Sequence, residues 1–506
     1  MKHLFYVLTL FVAFATLSSC KQDTRPGEVH GVVTYRDRDI PNVVVIYTGD
    51  NGTYEFTTNA SGYYIIRDIP AGNYTVSVTY NGKRVNSYLL NYEKSDNPNL
   101  VTIDVNGFHV RNVVIPDTED LGWDDEDDEE YELPEAEIPI LAWYSIPGGD
   151  DATIENYQTL KDCGFTMSFS HTTTLEEALT ALDLAEEVGI KVITPCPQEK
   201  FDNFVNSVKD KPALYAYFLG DEPSKSDFPA LATLANQVRT LDPNHDIYLN
   251  LFPSWAGQEI CGAPYDEYVH DYITEVKPDQ VSFDCYPITI KDGDNRINEE
   301  WWYNLEVISS EAQAAGLPIW AFALSTAHND YPVPTLAHLR LQMYTNLAYG
   351  AQCLQYFTYW LPTGTQWNFH ESPINDEGLK TSTYDVVKEM NEELQARAGV
   401  FMGGTVKLVR YAETVPYGGK KLEDYPSPLS SFGANGCRTL ISIIENGDYE
   451  YLMLVNCAYT RGYDYHIGFD RKVQIVNRDG SITPMEEKTG DFYIEEGDCA
   501  IFCWKK

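Results

Sequence analysis

The sequence predicts a multidomain protein in which a central (β/α)8 TIM barrel lies between an N-terminal and a C-terminal β-sandwich. Residues 27–115 and 404–506 contain short runs of Val, Ile, Tyr and Thr, separated by Gly, Asn, Asp and Pro, which is the pattern of antiparallel strands. Between them, eight short apolar runs alternate with segments of 3.6-residue periodicity. A length of 506 residues accommodates several domains.

The first segment of the chain has the pattern of an export signal. Lys2 precedes the apolar run "LFYVLTLFVAFATL", which is too short to span a bilayer easily. The run ends in "LSSC", which resembles a bacterial lipobox, and the following "KQD" resembles the export signals of surface lipoproteins in the Bacteroidetes. The resemblance implies that residues 1–20 are a lipoprotein signal peptide, that Cys20 carries the lipid, and that the protein is anchored in the outer membrane at the cell surface. A plain signal peptide and a periplasm-facing anchor are the alternatives.

Residues 27–115 form the predicted N-terminal β-sandwich. Its strands include "EVHGVVTY", "VVVIYT" and "NYTVSVTY", which are rich in β-branched and aromatic residues. The stretch "TNASGYYIIRDIPAGNYTVSVTYNGKR" resembles the carboxypeptidase-regulatory-like module that often precedes exported bacterial enzymes. The resemblance implies a spacer or docking module that carries no chemistry of its own.

An acidic linker is predicted over residues 116–137. It contains thirteen Asp and Glu between Asp117 and Glu137 and no Lys or Arg. Such a stretch repels itself and offers little apolar surface to bury, so we expect an extended tether between the two folded parts.

The barrel is predicted over residues 138–403. Its strands begin with "IPILAWYS" and end with "CLQYFTYW", and the helices between them carry apolar side chains on one face, as Leu175, Ala178 and Leu182 do. Strand–helix alternation over this length is typical of a (β/α)8 barrel. An open doubly wound sheet is the alternative, but it would more often carry a Gly-rich phosphate loop after its first strand, which this sequence lacks.

Residues 404–506 return to strand patterns such as "GTVKLVRYA", "RTLISIIEN" and "YEYLMLVNCA". We interpret them as a second β-sandwich of the kind that caps many barrel hydrolases.

In barrels of this type the active site lies at the C-terminal ends of the strands. The residues that the sequence places at those ends are Trp143, Tyr144, His171, Asp221, Glu222, Asn250, Trp255, Asp284, Tyr286, Ser325, His328, Tyr359, Trp360, Trp367 and His370. Acids, aromatics and histidines on one rim suit a sugar substrate, because aromatic faces stack on pyranose rings while polar groups bind the hydroxyls. We therefore predict Asp221, Glu222 and Asp284 as catalytic and the other rim residues as substrate-binding, Ser325 and Trp367 being named by position only.

Asp221 and Glu222 stand out because two adjacent acids directly follow the apolar run "ALYAYFL". Glycosidic cleavage needs a carboxylic acid to protonate the leaving oxygen and a second group to meet the developing positive charge. An ionised neighbour raises the pKa of a carboxyl and keeps it protonated for that purpose. The alternative is helix capping, for which Ser224 or Ser226 would suffice.

The stretch "GDEP" resembles the acid/base position of clan A glycoside hydrolases, including the family 42 β-galactosidases, although those usually carry Asn-Glu. The tail "TYWLPTGTQWNFHESPINDEGLKTSTYDVVKEMNEEL" also resembles the eighth unit of such enzymes. The resemblance implies that Glu222 is the acid/base. It fails at the seventh strand, where clan A places a nucleophilic Glu, because "PIWAFALSTAH" contains no acid and the next one is Asp330.

Two mechanisms remain open. In the first, Asp284 serves as nucleophile or base. In the second, the substrate supplies its own nucleophile, as in the β-N-acetylhexosaminidases of families 20 and 123, whose Asp-Glu pair "GDEP" also resembles. That resemblance implies that Asp221 orients the 2-acetamido group, Glu222 protonates the leaving oxygen and Tyr286 binds the acetamido oxygen.

The sequence thus predicts a surface-anchored glycoside hydrolase that acts on a glycan or oligosaccharide. A catalytically inactive barrel that binds glycans is the rival from another class, and the missing acid on the seventh strand favours it. A metal-dependent deacetylase is disfavoured because the histidines show no ligand spacing, and we expect no metal and no cofactor. The formal net charge of −40 argues against binding nucleic acid.

Overall fold

A computed structural model describes residues 27–36, 38–59, 61–90, 99–103, 108–116, 118–119, 131–169, 172–197, 200–485 and 487–506. The predicted signal peptide with Cys20, the rim residue His171 and most of the acidic linker lie outside these residues. The chain divides into two compact units, Met1–Glu129 and Glu130–Lys506.

The first unit is a β-sandwich, as predicted. One sheet has the order β10-β1-β11-β8, with β2 and β5 paired to β1, and the other has the order β4-β3-β6-β7, with β9 paired to β6. Side chains from both sheets form a single core that includes Val33, Val45, Tyr64 and Val78. The strands are β1 (Glu28–Tyr35), β2 (Arg38–Asp39), β3 (Val44–Gly49), β4 (Gly52–Thr57), β5 (Tyr63–Ile66), β6 (Gly72–Tyr80), β7 (Lys83–Val85), β8 (Tyr88–Leu89), β9 (Leu100–Ile103), β10 (Phe108–Val110) and β11 (Val113–Ile115).

A closed barrel of eight parallel strands forms the first part of the second unit, which confirms the predicted TIM barrel. The first and last strands pair to close the ring, with Ala142 opposite Tyr356. A two-stranded hairpin, β18 (Ile288–Lys291) with β19 (Asp294–Ile297), follows the sixth strand. The barrel strands are β12 (Ile140–Trp143), β13 (Met167–Phe169), β14 (Lys191–Pro195), β15 (Leu214–Asp221), β16 (Asp246–Leu251), β17 (Val281–Phe283), β20 (Ile319–Leu324) and β21 (Ala351–Phe357).

Helices connect the barrel strands and have the expected end signals. The helix that begins at Leu175 has a capping box between Thr174 and Glu177, and it ends at Gly189, whose φ of 76° suits glycine at a helix C-terminus. Among the described residues, no helix has the length and apolar character needed to cross a bilayer. The helices are α1 (Ile154–Asp162), α2 (Leu175–Val188), α3 (Phe201–Val208), α4 (Phe228–Leu241), α5 (Gln258–Cys261), α6 (Tyr265–Val276), α7 (Glu300–Ala315), α8 (Leu336–Ala348), α9 (Ser382–Ala396) and α10 (Ala398–Phe401).

The C-terminal part is a second β-sandwich, as predicted. A six-stranded sheet of order β22-β24-β25-β30-β27-β28 faces a three-stranded sheet of order β23-β26-β29. The other face of the larger sheet packs on α8, so β24 and β25 are buried on both sides and read as continuous apolar runs. The strands are β22 (Thr405–Ala412), β23 (Leu429–Gly433), β24 (Thr439–Asn446), β25 (Tyr449–Asn456), β26 (Tyr463–Phe469), β27 (Gln474–Val476), β28 (Ile482–Pro484), β29 (Thr489–Ile494) and β30 (Cys499–Lys505).

The end of the predicted linker belongs to the second unit. The ring of Tyr131 stacks on Tyr449 with centroids 3.5 Å apart, and its hydroxyl contacts that of Tyr451. Residues 131–137 are therefore part of the second unit and not a free tether. The linker ends before them, and the second unit begins near Glu130 instead of at 138. Tyr131 and Leu133 supply the apolar surface that the acidic composition of the stretch obscured.

A buried ion-pair network joins the barrel helices to the C-terminal sandwich. Arg340 on α8 binds both carboxylate oxygens of Glu393 on α9, and its Nη1 donates to Glu495 Oε2 at 2.6 Å. Glu393 also accepts a hydrogen bond of 3.0 Å from the hydroxyl of Tyr344. The Arg340 and Glu393 side chains are only 6% and 8% exposed, so neither charge has water as an alternative partner.

Removing Arg340 should strongly destabilise the second unit. We expect Arg340→Ala to lower the free energy of unfolding by about 3 kcal/mol, because the buried Glu393 loses its bidentate partner. Glu393 keeps the Tyr344 hydroxyl and Arg478, whose Nε is 3.6 Å away. Urea unfolding followed by tryptophan fluorescence measures this, since every Trp except Trp123 lies in the second unit. The matched control is Glu495→Gln, whose side chain is 45% exposed, with an expected change of at most about 1 kcal/mol. Equal losses in the two variants would contradict the prediction.

Candidate active site

Three carboxyl groups meet at the C-terminal end of neighbouring barrel strands. Asp221 is the last residue of β15 and pairs in register with Asn250 of β16, and Asn250 pairs with Ser282 of β17. Asp284 lies just beyond β17, two residues after Ser282 and on the same side of the strand. The structure thus brings together the three residues predicted as catalytic, Asp221, Glu222 and Asp284.

The amide of Asn250 lies between two of these carboxyls. Its Nδ2 is 2.8 Å from Asp284 Oδ1 and 3.2 Å from Asp221 Oδ1. The two acceptor oxygens are therefore less than ~6 Å apart, the sum of those two distances. Asn250 is buried and supplies a donor to both acids, so the predicted substrate-binding residue is instead a group that positions the carboxyls.

A chain of buried polar groups fixes the orientation of that amide. Tyr248 donates to Gln355 Oε1 at 2.5 Å, Gln355 Nε2 donates to Ser282 Oγ at 2.9 Å, and Ser282 donates to Asn250 Oδ1 at 2.9 Å. Along this chain each group donates to the next one, so Asn250 Oδ1 accepts the bond from Ser282. The amide nitrogen of Asn250 therefore faces the carboxyls.

Glu222 has a backbone conformation that is uncommon for its residue type. Its φ is 47°, in the left-handed region, and its N–H donates to the Asn250 carbonyl at 2.8 Å. The next residue is also anchored, because the Pro223 carbonyl accepts a bond of 2.7 Å from the Tyr268 hydroxyl. A non-glycine residue held in this region costs about 1–3 kcal/mol and is characteristic of functional sites.

The environment raises the pKa of all three carboxyls. Loss of hydration is the main cause, and it raises the pKa of Asp221 to about 6 although this side chain remains accessible at the barrel mouth. The pKa of Glu222 rises to about 7 through loss of hydration and the charge of Asp221. Burial, followed by the charges of Glu222 and Asp221, raises the pKa of Asp284 well above its usual value. The cluster therefore titrates as a unit and retains a proton near neutral pH.

Cations do not offset this negative charge. Among the described residues, no Lys or Arg contributes to the pKa of Asp221, Glu222 or Asp284. Three acids concentrated at the mouth disfavour anionic ligands.

The raised pKa values make stability depend on pH. A native state that binds more protons than the unfolded chain loses stability as pH rises from about 4, the ordinary carboxyl value, through about 7. We expect Asp284→Asn to raise the midpoint of thermal unfolding at pH 8, where the parent must bury a charge or take up a proton. The midpoint should be unchanged at about pH 2.5, where the carboxyls are protonated in both the native and the unfolded state.

Thermal unfolding over a pH series measures this difference, and Asp330→Asn is the control because Asp330 is an exposed acid outside the cluster. An Asp284→Asn shift of the same size at both pH values would show that the stabilisation is not electrostatic.

Aromatic rings cover one side of the cluster. Tyr286 is buried, stacks on Phe357 at 5.8 Å between centroids and meets Tyr331 edge-on at 5.6 Å. Burial, then the charge of Asp284, raises the pKa of Tyr286 well above its usual value, so the phenol remains a hydrogen-bond donor. Tyr286 is thus close to the acids, as predicted.

His328 and His370 lie farther along this rim. His328 is buried and its Nδ1 donates to the Thr326 carbonyl at 3.0 Å, while burial lowers its pKa. His370 is exposed, with Nδ1 2.8 Å from the Asn368 carbonyl. Neither histidine is bonded to a carboxyl of the cluster.

Several predicted substrate-binding residues lie away from the cluster. Trp143 packs inside the barrel against Phe169 and Phe322, and it is only 4% exposed. The structure places Tyr359 and Trp360 in the layer between strands and helices, so these three are corrected to packing residues. Trp143 packs among the rings that fill the barrel interior, whereas Tyr359 and Trp360 follow the end of β21 at Phe357, where the alternation of side chains along a strand no longer gives their direction.

Tyr144 and Trp255 both remain partly exposed, unlike the buried Trp143. Tyr144 is half-buried, has a φ of 51° and packs against the barrel interior. Trp255 is 50% exposed in a short helix after β16, Ser254–Ala256.

The end of β20 carries no carboxyl, as the sequence predicted. Ser325 and Thr326 are buried there, and both hydroxyls donate to the Thr358 carbonyl at 2.7 and 3.0 Å. Asp330 is exposed on the following loop. Among the described residues, the seventh strand therefore offers hydroxyls that are already bonded, and no group that could form a glycosyl ester.

Sequence reasoning missed the groups that support the acids. Tyr248, Ser282 and Gln355 were not identified, although Tyr248 precedes Asn250 by two residues and Ser282 precedes Asp284 by two. A period of two on a barrel strand indicates a shared inward face, which could have revealed them. Tyr331 lies in a loop, where no such periodicity applies.

A cavity of about 540 Å³ lies at the other end of the barrel. It is lined by the starts of β20 and β21 and by β22 of the C-terminal sandwich. Its acid, Glu306, is partly buried, lies 3.4 Å from Lys420 Nζ and accepts a bond of 2.8 Å from Tyr349. This cavity therefore lacks the clustered carboxyls found at the mouth.

No metal site is evident in the part of the chain that the structure describes. No group of three or more His, Cys, Asp or Glu there has an arrangement that could hold an ion. The cluster of acids is arranged around an amide donor instead.

One family model matches the first unit of the chain. The family model of the carboxypeptidase regulatory-like domain matches residues 28–106, which confirms the resemblance of the first unit. No curated protein matches the chain.

Similar solved structures include glycoside hydrolases. A family 39 glycoside hydrolase from the gut symbiont Bacteroides cellulosilyticus WH2 is 14% identical, with a TM-score of 0.44, over 92% of this chain and 94% of that one. The E323A catalytic mutant of Gan42B, a GH42 β-galactosidase from G. stearothermophilus, is 9% identical, with a TM-score of 0.48, over 75% and 100%. A β-galactosidase from Halorubrum lacusprofundi is 11% identical, with a TM-score of 0.41, over 52% and 58%.

Proposed function

We propose that the protein is a glycoside hydrolase that cleaves O-glycosidic bonds of a neutral glycan, with Glu222 as general acid/base. The coupled carboxyls at the barrel mouth are the main support. Glycosidic cleavage at neutral pH requires an acid that still holds its proton, and the pKa of Glu222 is raised to about 7. The three acids at the mouth would repel an anionic substrate, which favours an uncharged one.

The raised pKa of Asp284 favours a substrate-assisted mechanism. A nucleophile or general base must be ionised, whereas burial and two like charges raise the pKa of Asp284 well above its usual value. Asp221 is accessible and its pKa is about 6, so it is largely ionised at pH 7 and can accept a hydrogen bond from a 2-acetamido N–H.

The proposed reaction then has two steps. The acetamido oxygen attacks C1 and forms a cyclic oxazolinium, while Asp221 holds the acetamido N–H and Glu222 gives its proton to the leaving oxygen. Water then attacks C1, Glu222 takes a proton from that water, and the ring opens to the free sugar. The net change is hydrolysis, and Tyr286 can donate a hydrogen bond to the acetamido group from its position above Asp284.

Product release from a panel of aryl glycosides and oligosaccharides, with and without 2-acetamido groups, tests this function. The mature chain with Cys20 replaced by Ala serves as the soluble enzyme. We expect turnover only on acetamido sugars. Turnover on sugars with a free 2-hydroxyl would instead assign Asp284 as the second carboxyl and overturn the substrate-assisted mechanism.

A glycan-binding protein on an inactive barrel is the second candidate, because β20 carries no acid among the described residues. It predicts binding to the same glycans without any product. In that case Glu222→Gln would leave the affinity for those glycans unchanged. Detection of product by the parent chain excludes it.

We also propose that Cys20 is lipidated and holds the enzyme at the outer surface of the outer membrane. The support is the "LSSC" and "KQD" pattern of the sequence. Cys20→Ala should release the protein from the membrane fraction and abolish incorporation of a labelled fatty acid. Resistance of the parent to protease added to intact cells would place it on the periplasmic side.

A further inference from the structure

A loop beyond β21 holds one tryptophan on the rim of the barrel mouth. The backbone N–H of His370 donates to the Ala327 carbonyl at 3.0 Å, and Asn329 N–H donates to Asn368 Oδ1 at 2.5 Å. Within the loop, Trp367 N–H donates to Thr365 Oγ1 at 3.2 Å. The segment that carries Trp367 is therefore fastened at several points to the loop that follows β20.

The indole of Trp367 is supported from behind and open in front. Its ring stacks on His328 with centroids 5.7 Å apart and planes inclined by 11°, and it contacts Phe369. His328 is 3% exposed, whereas Trp367 is 47% exposed. Single exposed apolar residues are common on protein surfaces. Trp367 differs from them because its ring is stacked on a buried neighbour while about half of its surface remains exposed.

A continuous row of rings leads from this indole to the acids. His328 lies 4.9 Å from Tyr331 between centroids, and Tyr331 lies 5.6 Å from Tyr286. Asp284 and Glu222 are among the charges that act on Tyr331, with burial as the main cause of its raised pKa. Two rings, Tyr331 and His328, thus separate Trp367 from the ring nearest the acids. The contact path from Trp367 to Tyr286 has three ring-to-ring steps of 5.7, 4.9 and 5.6 Å, and a single pyranose ring is comparable in size to one such step.

We propose that Trp367 is a specificity-determining platform that stacks on a sugar unit one or more residues away from the bond at the carboxyls, so that the protein prefers oligosaccharides over single glycosides. The identification of the ligand as a glycan rests on the proposed function. The face of a pyranose ring carries C–H groups that pack on an indole, and a rigid aromatic ring binds with little loss of conformational entropy. The backing ring is uncharged near pH 7, since burial lowers the pKa of His328.

The test uses binding to the full mature chain that carries Glu222→Gln, so that no turnover interferes. Three proteins are compared: this parent, the parent with Trp367→Ala, and the parent with Tyr493→Ala. Tyr493 is the matched control, being an exposed aromatic (64%) on β29 of the C-terminal sandwich. Each is applied to an array of neutral and acidic glycans of one to six units, and calorimetry with chitin oligosaccharides of one to four units gives affinities.

We expect the parent and the Tyr493→Ala protein to bind longer neutral glycans more tightly than single sugars. Trp367→Ala should weaken binding of the longer ones by about 10- to 100-fold and leave the single sugar unchanged, as a central aromatic contact does. Trp367→Phe should retain part of the preference. Because Trp367 is half exposed, unchanged thermal unfolding is expected and is checked in parallel.

Two results would overturn the inference: an equal loss for single and longer sugars in Trp367→Ala, or no binding of the parent to any glycan on the array. The outcome is independent of catalysis. Length-dependent binding that needs Trp367, together with no turnover by the chain that retains Glu222, would retain the platform and reject the hydrolase. Turnover by the chain that retains Glu222, without length-dependent binding, would retain the hydrolase and reject the platform.

Discussion

Glu222→Gln should abolish most turnover, by about 10³-fold in kcat/KM, and leave the fold intact. Glutamine has nearly the same shape but cannot give up a proton, and a positioned general acid contributes about 10²–10⁴-fold. The contacts that hold this residue are made by the backbone: its N–H bonds to the Asn250 carbonyl, and the next carbonyl bonds to Tyr268. The left-handed φ of 47° is open to either side chain.

The leaving group provides the sharpest measurement for this variant. Aryl glycosides with strongly acidic phenols need little protonation, so Glu222→Gln should lose much less activity on them than on oligosaccharides. Glu413→Gln is the matched control, because Glu413 is an exposed glutamate with a φ of 64° in the C-terminal sandwich. Normal activity on oligosaccharides in Glu222→Gln would refute the assignment of the acid.

Asp221→Asn should lower kcat on acetamido sugars by about 10²–10³-fold, the loss typical of removing one group that stabilises developing charge. It should also move the alkaline limb of the pH profile. The charge of Asp221 helps to raise the pKa of Glu222 to about 7, so its removal lowers that pKa and Glu222 loses its proton at lower pH. The alkaline limb of kcat/KM therefore shifts toward lower pH.

The pH profile of kcat/KM distinguishes this result from simple misfolding, which would lower the rate without moving the limb. Asp330→Asn serves as the control, since Asp330 is an exposed acid beyond β20 and outside the cluster. A shift toward higher pH in Asp221→Asn would contradict the electrostatic coupling described for the pair.

The location of the acids at one rim could be predicted from the sequence, but the hydrogen bonds that surround them could not. Asp221 and Asp284 could be located because parallel strands end at one rim of a barrel. Asn250 could be placed on the same rim, yet its role depends on hydrogen bonds between three strands, which a linear pattern does not contain. The same limit applies to Tyr331, which reaches the acids from a loop.

Errors in side-chain direction have a common cause. On β21, Gln355 points into the barrel and bonds Ser282, whereas Tyr356 points outward and bonds Asn391 on α9 at 2.8 Å. Because aromatic and apolar residues occupy both faces of this strand, its sequence gives no sign of which face is which. Tyr359 and Trp360 follow the last residue of β21, Phe357, and their predictions failed because a position beyond a strand end does not give the direction of the side chain.

The row of polar groups from Tyr248 to Asn250 has a consequence for how such barrels diverge. Tyr248 begins the row as a donor, and Gln355, Ser282 and Asn250 each accept from the preceding group and donate to the next, so a change at any of these three leaves two buried neighbours mismatched. Asn250→Asp alone would place an oxygen where a donor is needed. Among related sequences, Tyr248, Gln355, Ser282 and Asn250 should therefore be inherited as a set and replaced as a set.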